Sequence, residues 1–295
     1  ESLGSKTAYQ RHPAWFARHG YAALIIDTIE LSEIEGVHHG TYSKGRWWWW
    51  NRGYTPLGVE TWNTMRALDY LESRSEVDAD RLGVAGRSGG GIYSWLTVAL
   101  DERVKAAVPT AGIAELESMV NEGGVSRHCD CMFHINSRRW DLTEIAAMAH
   151  PTPTKVINGD HDPLFPLRGV DGVYHKTRQL YALSNSLEDW QLQIEDAPHA
   201  DIFPIRQGMY RWMHRHLKGE ELTVVDTAQA YFEPTELTVF DEIPDDQINT
   251  RIDEEFVPVA EAPTVPSEPS EWDDIREGWM EQLNENTFNG WPSVD

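Results

Sequence analysis

The sequence predicts an α/β protein built on a doubly wound, mostly parallel sheet. Short apolar runs of strand length recur at Tyr21–Ile26, Arg81–Ala85, Val104–Pro109, Lys155–Asn158 and Trp190–Glu195. Helix-patterned segments alternate with them, and such alternation means parallel pairing with helices on both faces. The residues able to do chemistry fall just past the ends of these runs, where parallel sheets place their working groups.

Taken in order, Lys6–His19 reads as a helix interrupted or restarted at Pro13, with Gly20 as its C-cap. Tyr21–Ile26 is continuously apolar, the pattern of a strand covered on both faces. Regularity is lost from Leu31 to Pro56, and Val59–Ser73 resumes a helix with Met65, Leu68 and Leu71 in register. Ile92–Leu100 follows the second run as a helix, and Ala114–Trp140 is an irregular insertion. Leu142–Ala149, Val170–Leu183 and Ile202–Leu217 supply the remaining helices, the last stopping at Lys218-Gly219.

After Gly219 the texture changes. Between Glu221 and Asp295 there are 20 acidic residues against only Arg251 and Arg276, so this segment holds most of the chain's net charge of −23. Pro258, Pro263, Pro266 and Pro269 punctuate it, as in a linker or a segment wrapped over another surface. Two domains are therefore expected: 1–219 as the catalytic domain, and 220–295 as an acidic extension with a terminal helix at Trp272–Trp291. The acidic balance disfavours nucleic acid and anionic membranes as partners. No apolar run approaches the ~20 residues needed to span a bilayer. Cys129 and Cys131 are one residue apart, a spacing that argues against a mutual disulfide.

The centre of the chain is Gly86-Arg87-Ser88-Gly89-Gly90-Gly91, a Gly-x-Ser-x-Gly turn between strand and helix. Only small flanking residues allow a turn this tight, which holds the serine oxygen clear of the sheet. The Gly89 N–H, at the helix N-terminus, is the candidate donor to an oxyanion. A serine hydroxyl needs a base, and His199, after the last strand, is the candidate. Asp162, after the preceding strand and within Asp162-Pro163-Leu164-Phe165-Pro166, is the candidate to orient it; Asp160 is the rival. Arg46, Trp47 and Trp48 in the tryptophan run, Arg87, and Arg139 with Trp140 are candidates for substrate contact at the rim. Four adjacent indoles cannot all be buried, so the run has two compatible readings: stacking on sugar rings, and capping the core beneath a loop. His128, Cys129, Cys131 and His134 crowd four ligands into seven residues, too cramped for a tetrahedral site built from separated pairs. No metal and no cofactor are expected.

The order Ser, Asp, His, with Gly86–Gly91, Gly159-Asp160-His161-Asp162 and Pro198-His199, resembles the α/β-hydrolase superfamily from about residue 5 to 219. The tryptophan run and His128-Cys129-Asp130-Cys131-Met132-Phe133 narrow the resemblance to bacterial acetylxylan-esterase-like proteins. The resemblance implies hydrolysis of carboxylic esters, often acetyl groups on polysaccharides, and a secreted or periplasmic setting. It also implies three further strands ahead of the first helix, so the chain is expected to be N-terminally truncated and to lack them. The second oxyanion donor would go with them, a loss of ~10²–10³ in rate. Two rivals stand beside this reading: a serine peptidase of the prolyl-oligopeptidase type, and a catalytically impaired carbohydrate-binding homologue.

Overall fold

Four parallel strands, not five, form the sheet of the computed structural model, which describes residues 4–224 and 229–290. The N-terminal part carries α1 (Gly4–Ala8), α2 (Arg11–Arg18), α3 (Thr41–Lys44), α4 (Trp48–Asn51) and α5 (Pro56–Glu72). The core then alternates: β1 (Leu82–Arg87), α6 (Gly89–Leu100), β2 (Val104–Thr110), α7 (Leu116–Asn121), α8 (Leu142–Ala147), β3 (Thr154–Gly159), α9 (Leu167–Leu183), β4 (Trp190–Glu195) and α10 (Phe203–Lys218). Beyond it lie α11 (Ile252–Glu255) and α12 (Pro269–Gln282), the latter running on into one π turn at Leu283–Thr287. Trp291, the expected end of the terminal helix, lies outside the described residues.

Strand order is β1-β2-β3-β4, every pair parallel. The two faces are separately packed. Val84, Ala107 and Val156 join Trp95, Val98, Val173, Tyr181 and Trp190 in one core, beneath α5, α6, α8 and α9. Ala106, Val108 and Ile157 face the other way, against Trp15 of α2 and Ile205, Met209, Tyr210 and Met213 of α10. Alternation along each strand is what feeds both layers. Trp15 stacks flat on Tyr210, ring centroids 4.0 Å apart, locking α2 to α10.

Two expectations about the N-terminal part are corrected. The first concerns the opening helix, which breaks at Tyr9–Gln10 rather than at Pro13. Pro13 sits in the first turn of α2, where its missing N–H would have had no intrahelical partner. The second concerns Tyr21–Ile26, which is not a strand. Ala22, Ala23 and Leu24 are exposed, and a cavity of about 430 Å³ separates this stretch from β1. Apolar composition suits a segment to a sheet, but a ladder needs a neighbour about 4.8 Å away. Here the hollow occupies that place, floored by Met209, Met213 and Leu217.

Part of the acidic segment, between Tyr231 and Val257, lies against the rest of the molecule. Gln10 is held by the backbone of Tyr231 and Phe232, and Glu33 accepts from the N–H groups of Val239 and Phe240. Ile252 is buried with Ile29, Trp49, Tyr54 and Val59 in a third, smaller core.

Candidate active site

β1 ends in a turn whose backbone is under strain. Ser88 has φ 59° and ψ −120°, a left-handed conformation that costs a non-glycine residue of order 1–3 kcal/mol. Its N–H donates to Thr110 O at 3.0 Å, anchoring the turn on β2, and its carbonyl accepts from Ile92 N at 3.1 Å, starting α6. Gly86 is obligatory here: a Cβ on it would come within 2.4 Å of the Gly90 carbonyl oxygen. Ser88 thus stands at the crossing of strand and helix, with Gly89 N–H among the first amides of α6, which lack intrahelical acceptors.

Beyond β3, Asp162 is buried and its carboxylate is filled with donors. Oδ1 accepts from Leu164 N at 2.8 Å and Phe165 N at 3.2 Å, while Oδ2 faces His199 Nδ1 at 2.7 Å. That pairing fixes the proton on Nδ1 and leaves Nε2 as the basic nitrogen. Asp160, the rival acid, is turned to His161 and to Ala197 N, so Asp162 is the partner of His199. Phe165 lies face to face with the imidazole at 6.0 Å and takes the edge of His128 at 5.0 Å. Burial lowers the pKa of His128, against the pull of its hydrogen bond to Leu164 O.

The loop carrying His199 is pinned from two sides. Asp201 meets His12 Nε2 at 3.2 Å and Arg206 at 3.4 Å. Burial would raise the Asp201 pKa, but its bond to His12 and the neighbouring Arg206 and Arg11 hold it below the usual carboxylate range. On the other side Arg87 donates to the His199 carbonyl at 3.2 Å and to Tyr9 OH at 2.7 Å. Arg87, read from sequence as a rim residue, is turned back under the site. Neither its tie to the histidine loop nor the part of Tyr9 had a signal in the spacing.

The structure joins Asp162 to His199 and brings Ser88 to the same end of the sheet. Among the described residues Ser88 Oγ makes no hydrogen bond, to His199 or to any other group. The 430 Å³ cavity borders the serine turn, where Gly86, Arg87 and Gly90 line it together with Tyr9 and Asp201, although Ser88 and His199 themselves do not.

The aromatic candidates divide. Trp49 is 1% exposed and donates to Asp253, whereas Trp47 is 54% exposed and meets Tyr42 edge-on at 5.0 Å. Trp48 is half-buried beneath the Arg52 guanidinium, and Trp50 is exposed. Arg46 is half-buried in an ion pair with Asp253. Arg139 adopts φ 58°, and the exposed Trp140 is tied back to Asn136. The indole loop reaches the serine turn through one short path: Thr41 N donates to Asp130 at 2.8 Å, and the neighbouring Cys131 packs against Gly89.

Cys129 and Cys131 form a disulfide, contrary to the sequence expectation. Extended backbone at Cys129 followed by a 3-10 turn at Asp130–Met132 brings their Cα atoms to 5.3 Å, inside the bridging range. His128 and His134 take no part in a cluster with them: His128 bonds Leu164 O, and His134 lines a small apolar pocket with Met132 and Leu142.

A curated relative, "Putative hydrolase YtaP" of Bacillus subtilis, is 27% identical over 205 residues, covering 67% of this chain and 66% of its own length. Among solved structures, a carbohydrate esterase family 15 glucuronoyl esterase from Caldicellulosiruptor kristjansonii superposes with a TM-score of 0.50 at 18% identity, covering 63% of this chain and 57% of that one. The chain thus spans under two thirds of the length of either. The model of the prolyl oligopeptidase family matches residues 8–170, a stretch that takes in Ser88 and Asp162 and stops short of His199. With its parallel sheet and flanking helices, the chain belongs to the prolyl oligopeptidase family, within the α/β-hydrolase superfamily.

Proposed function

We propose that this protein is a serine carboxylic-ester hydrolase acting on an acylated carbohydrate, with acetyl or a similarly small acyl group. The observation that carries the reading is the buried Asp162–His199 pair at the sheet end that also presents Ser88 on a strained elbow. Ser88 Oγ attacks the ester carbonyl while His199 Nε2 takes its proton, and Asp162 steadies the resulting imidazolium. The tetrahedral oxyanion lies against Gly89 N–H, and collapse expels the sugar hydroxyl with the proton from His199. Water then repeats the sequence on the acyl-enzyme, releasing the carboxylic acid. The reaction so drawn calls on no metal or cofactor.

Support for a carbohydrate alcohol comes from the exposed Trp47, Trp50 and Tyr42, whose flat faces suit sugar rings, and from the naming of the superposed structure as a glucuronoyl esterase. The division of labour proposed with it is a catalytic domain over 1–219 and an accessory acidic extension over 220–295. The family match favours one other reading, cleavage of peptide bonds near proline. Acetate release from acetylated xylan, set beside cleavage of a proline-containing peptide, separates the two. Ester turnover with no peptide turnover is expected; the reverse would overturn the ester reading. Failure of a fluorophosphonate to label Ser88 would overturn both, leaving a binding protein.

Arg87 gives a further test. Arg87→Met keeps the stem but loses the N–H groups that hold the His199 carbonyl and Tyr9. With charged hydrogen bonds at about 1.5–3 kcal/mol, kcat for 4-nitrophenyl acetate is expected to fall about 10- to 100-fold with KM little changed. A changed KM with unchanged kcat would return Arg87 to the substrate rim.

A further inference from the structure

Away from Ser88, one cluster has the donors of a metal site. His38, His39 and Cys129 each offer one ligand atom, and these atoms all lie within 4.8 Å of one another. Two segments far apart in the chain bring them together, tied by Thr41 N donating to Asp130. Glu30 holds one of the two imidazoles. Glu30 Oε2 accepts from the backbone N–H groups of both histidines at 2.8 and 3.0 Å and meets His39 Nδ1 at 3.1 Å, leaving His39 Nε2 free. A carboxylate behind an imidazole is the arrangement that fixes the tautomer of a ligating histidine. His38 is 7% exposed, and its Nδ1, without a hydrogen-bond partner, faces the buried Glu60 carboxylate at 4.0 Å.

What keeps the site from closing is the bond between Cys129 and Cys131. A disulfide sulfur is a poor ligand, whereas a thiolate beside two imidazoles makes the borderline-soft set that zinc prefers. We propose that reduction of the Cys129–Cys131 disulfide opens a zinc-class metal site formed by His38, His39 and the Cys129 thiolate. A dithiol supplies the two electrons and two protons: the S–S bond breaks, Cys129 and Cys131 become thiols, and the dithiol closes to its own disulfide. On coordination Cys129 gives its proton to solvent. Zinc bonds of about 2.0–2.3 Å need donors about 3.3–3.7 Å apart, so the set contracts by roughly 1 Å, within reach of a freed cysteine side chain. The fourth position is left to water. The other cysteine faces the serine turn: Cys131 Sγ lies 3.6 Å from where a Cβ on Gly89 would stand. Switching the pair therefore alters the packing directly behind the proposed oxyanion donor.

The test uses cobalt(II) as the probe on the full chain, with circular dichroism confirming that every variant folds. Protein reduced with a phosphine and freed of metal is expected to bind one equivalent of cobalt with a thiolate-to-cobalt charge-transfer band, lost on adding zinc. Unreduced protein is expected to show no band. Cys131→Ser, which leaves Cys129 without a disulfide partner, is expected to show the band with no reductant. Cys129→Ser removes it, and His39→Ala, at an exposed ring, weakens binding by at least about 10–100-fold. No band in the reduced protein, or a band that survives Cys129→Ser, would overturn the proposal. So would a Cys131→Ser protein that binds no cobalt.

Discussion

Ser88→Ala is expected to lower turnover of 4-nitrophenyl acetate by about 10⁶-fold, the loss seen when a triad nucleophile is removed. The surviving rate would reflect the oxyanion donor and binding alone. Stability should not follow activity. Alanine at 88 must adopt the same φ of 59°, so its melting temperature is expected to stay at the parent value. Ser88→Gly is equally inactive but escapes the strain, and part of that relief is offset by the freer unfolded chain. Thermal unfolding is expected to place Ser88→Gly about 1 kcal/mol above Ser88→Ala. An active Ser88→Ala protein would end the nucleophile assignment; two variants of equal stability would mean that the elbow is not strained.

Asp162→Asn is expected to cost about 10⁴-fold in kcat, the scale for losing the acid behind a catalytic histidine. The reason is a count of donors. All three groups facing the Asp162 carboxylate are donors: two backbone N–H groups and His199 Nδ1–H. An amide brings an N–H of its own and must point it at one of them. If it faces the ring, the imidazole turns to the tautomer whose Nε2 carries the proton, and that nitrogen can no longer act as base. Asp160→Asn, at a group occupied with His161 and Ala197, is expected to stay within a few-fold of the parent. Comparable losses in both variants would refute the choice of Asp162.

Much of this was legible in the chain because the same pattern sets local conformation and burial. Four runs became β1 to β4 within a residue or two: β2 and β3, buried almost throughout, are marked by apolar composition, and the edge strand β4 by the alternation of Trp190, Leu192 and Ile194 with polar residues. Tyr21–Ile26 has the same composition and failed for want of a neighbour, which no pattern within six residues can report. Glycine at 86 signalled the elbow through a local steric need, since a Cβ there would meet the Gly90 backbone. The orientation of Arg87 and the approach of His38 and His39 to Cys129 depend on contacts between distant segments, where spacing carries no information. The disulfide depends on the turn at Asp130–Met132, which the spacing of the two cysteines does not report.

The grip of Asp253 on Trp49 and Arg46 has a consequence for the order of events during synthesis. The indole loop emerges from the ribosome some 200 residues before the carboxylate that holds it, and closing so long a loop is slow. The sheet and its helices are complete by Gly219, while the aromatic loop must wait for the last quarter of the chain. A nascent protein would complete the sheet that carries Ser88, Asp162 and His199 first and the exposed aromatic surface last.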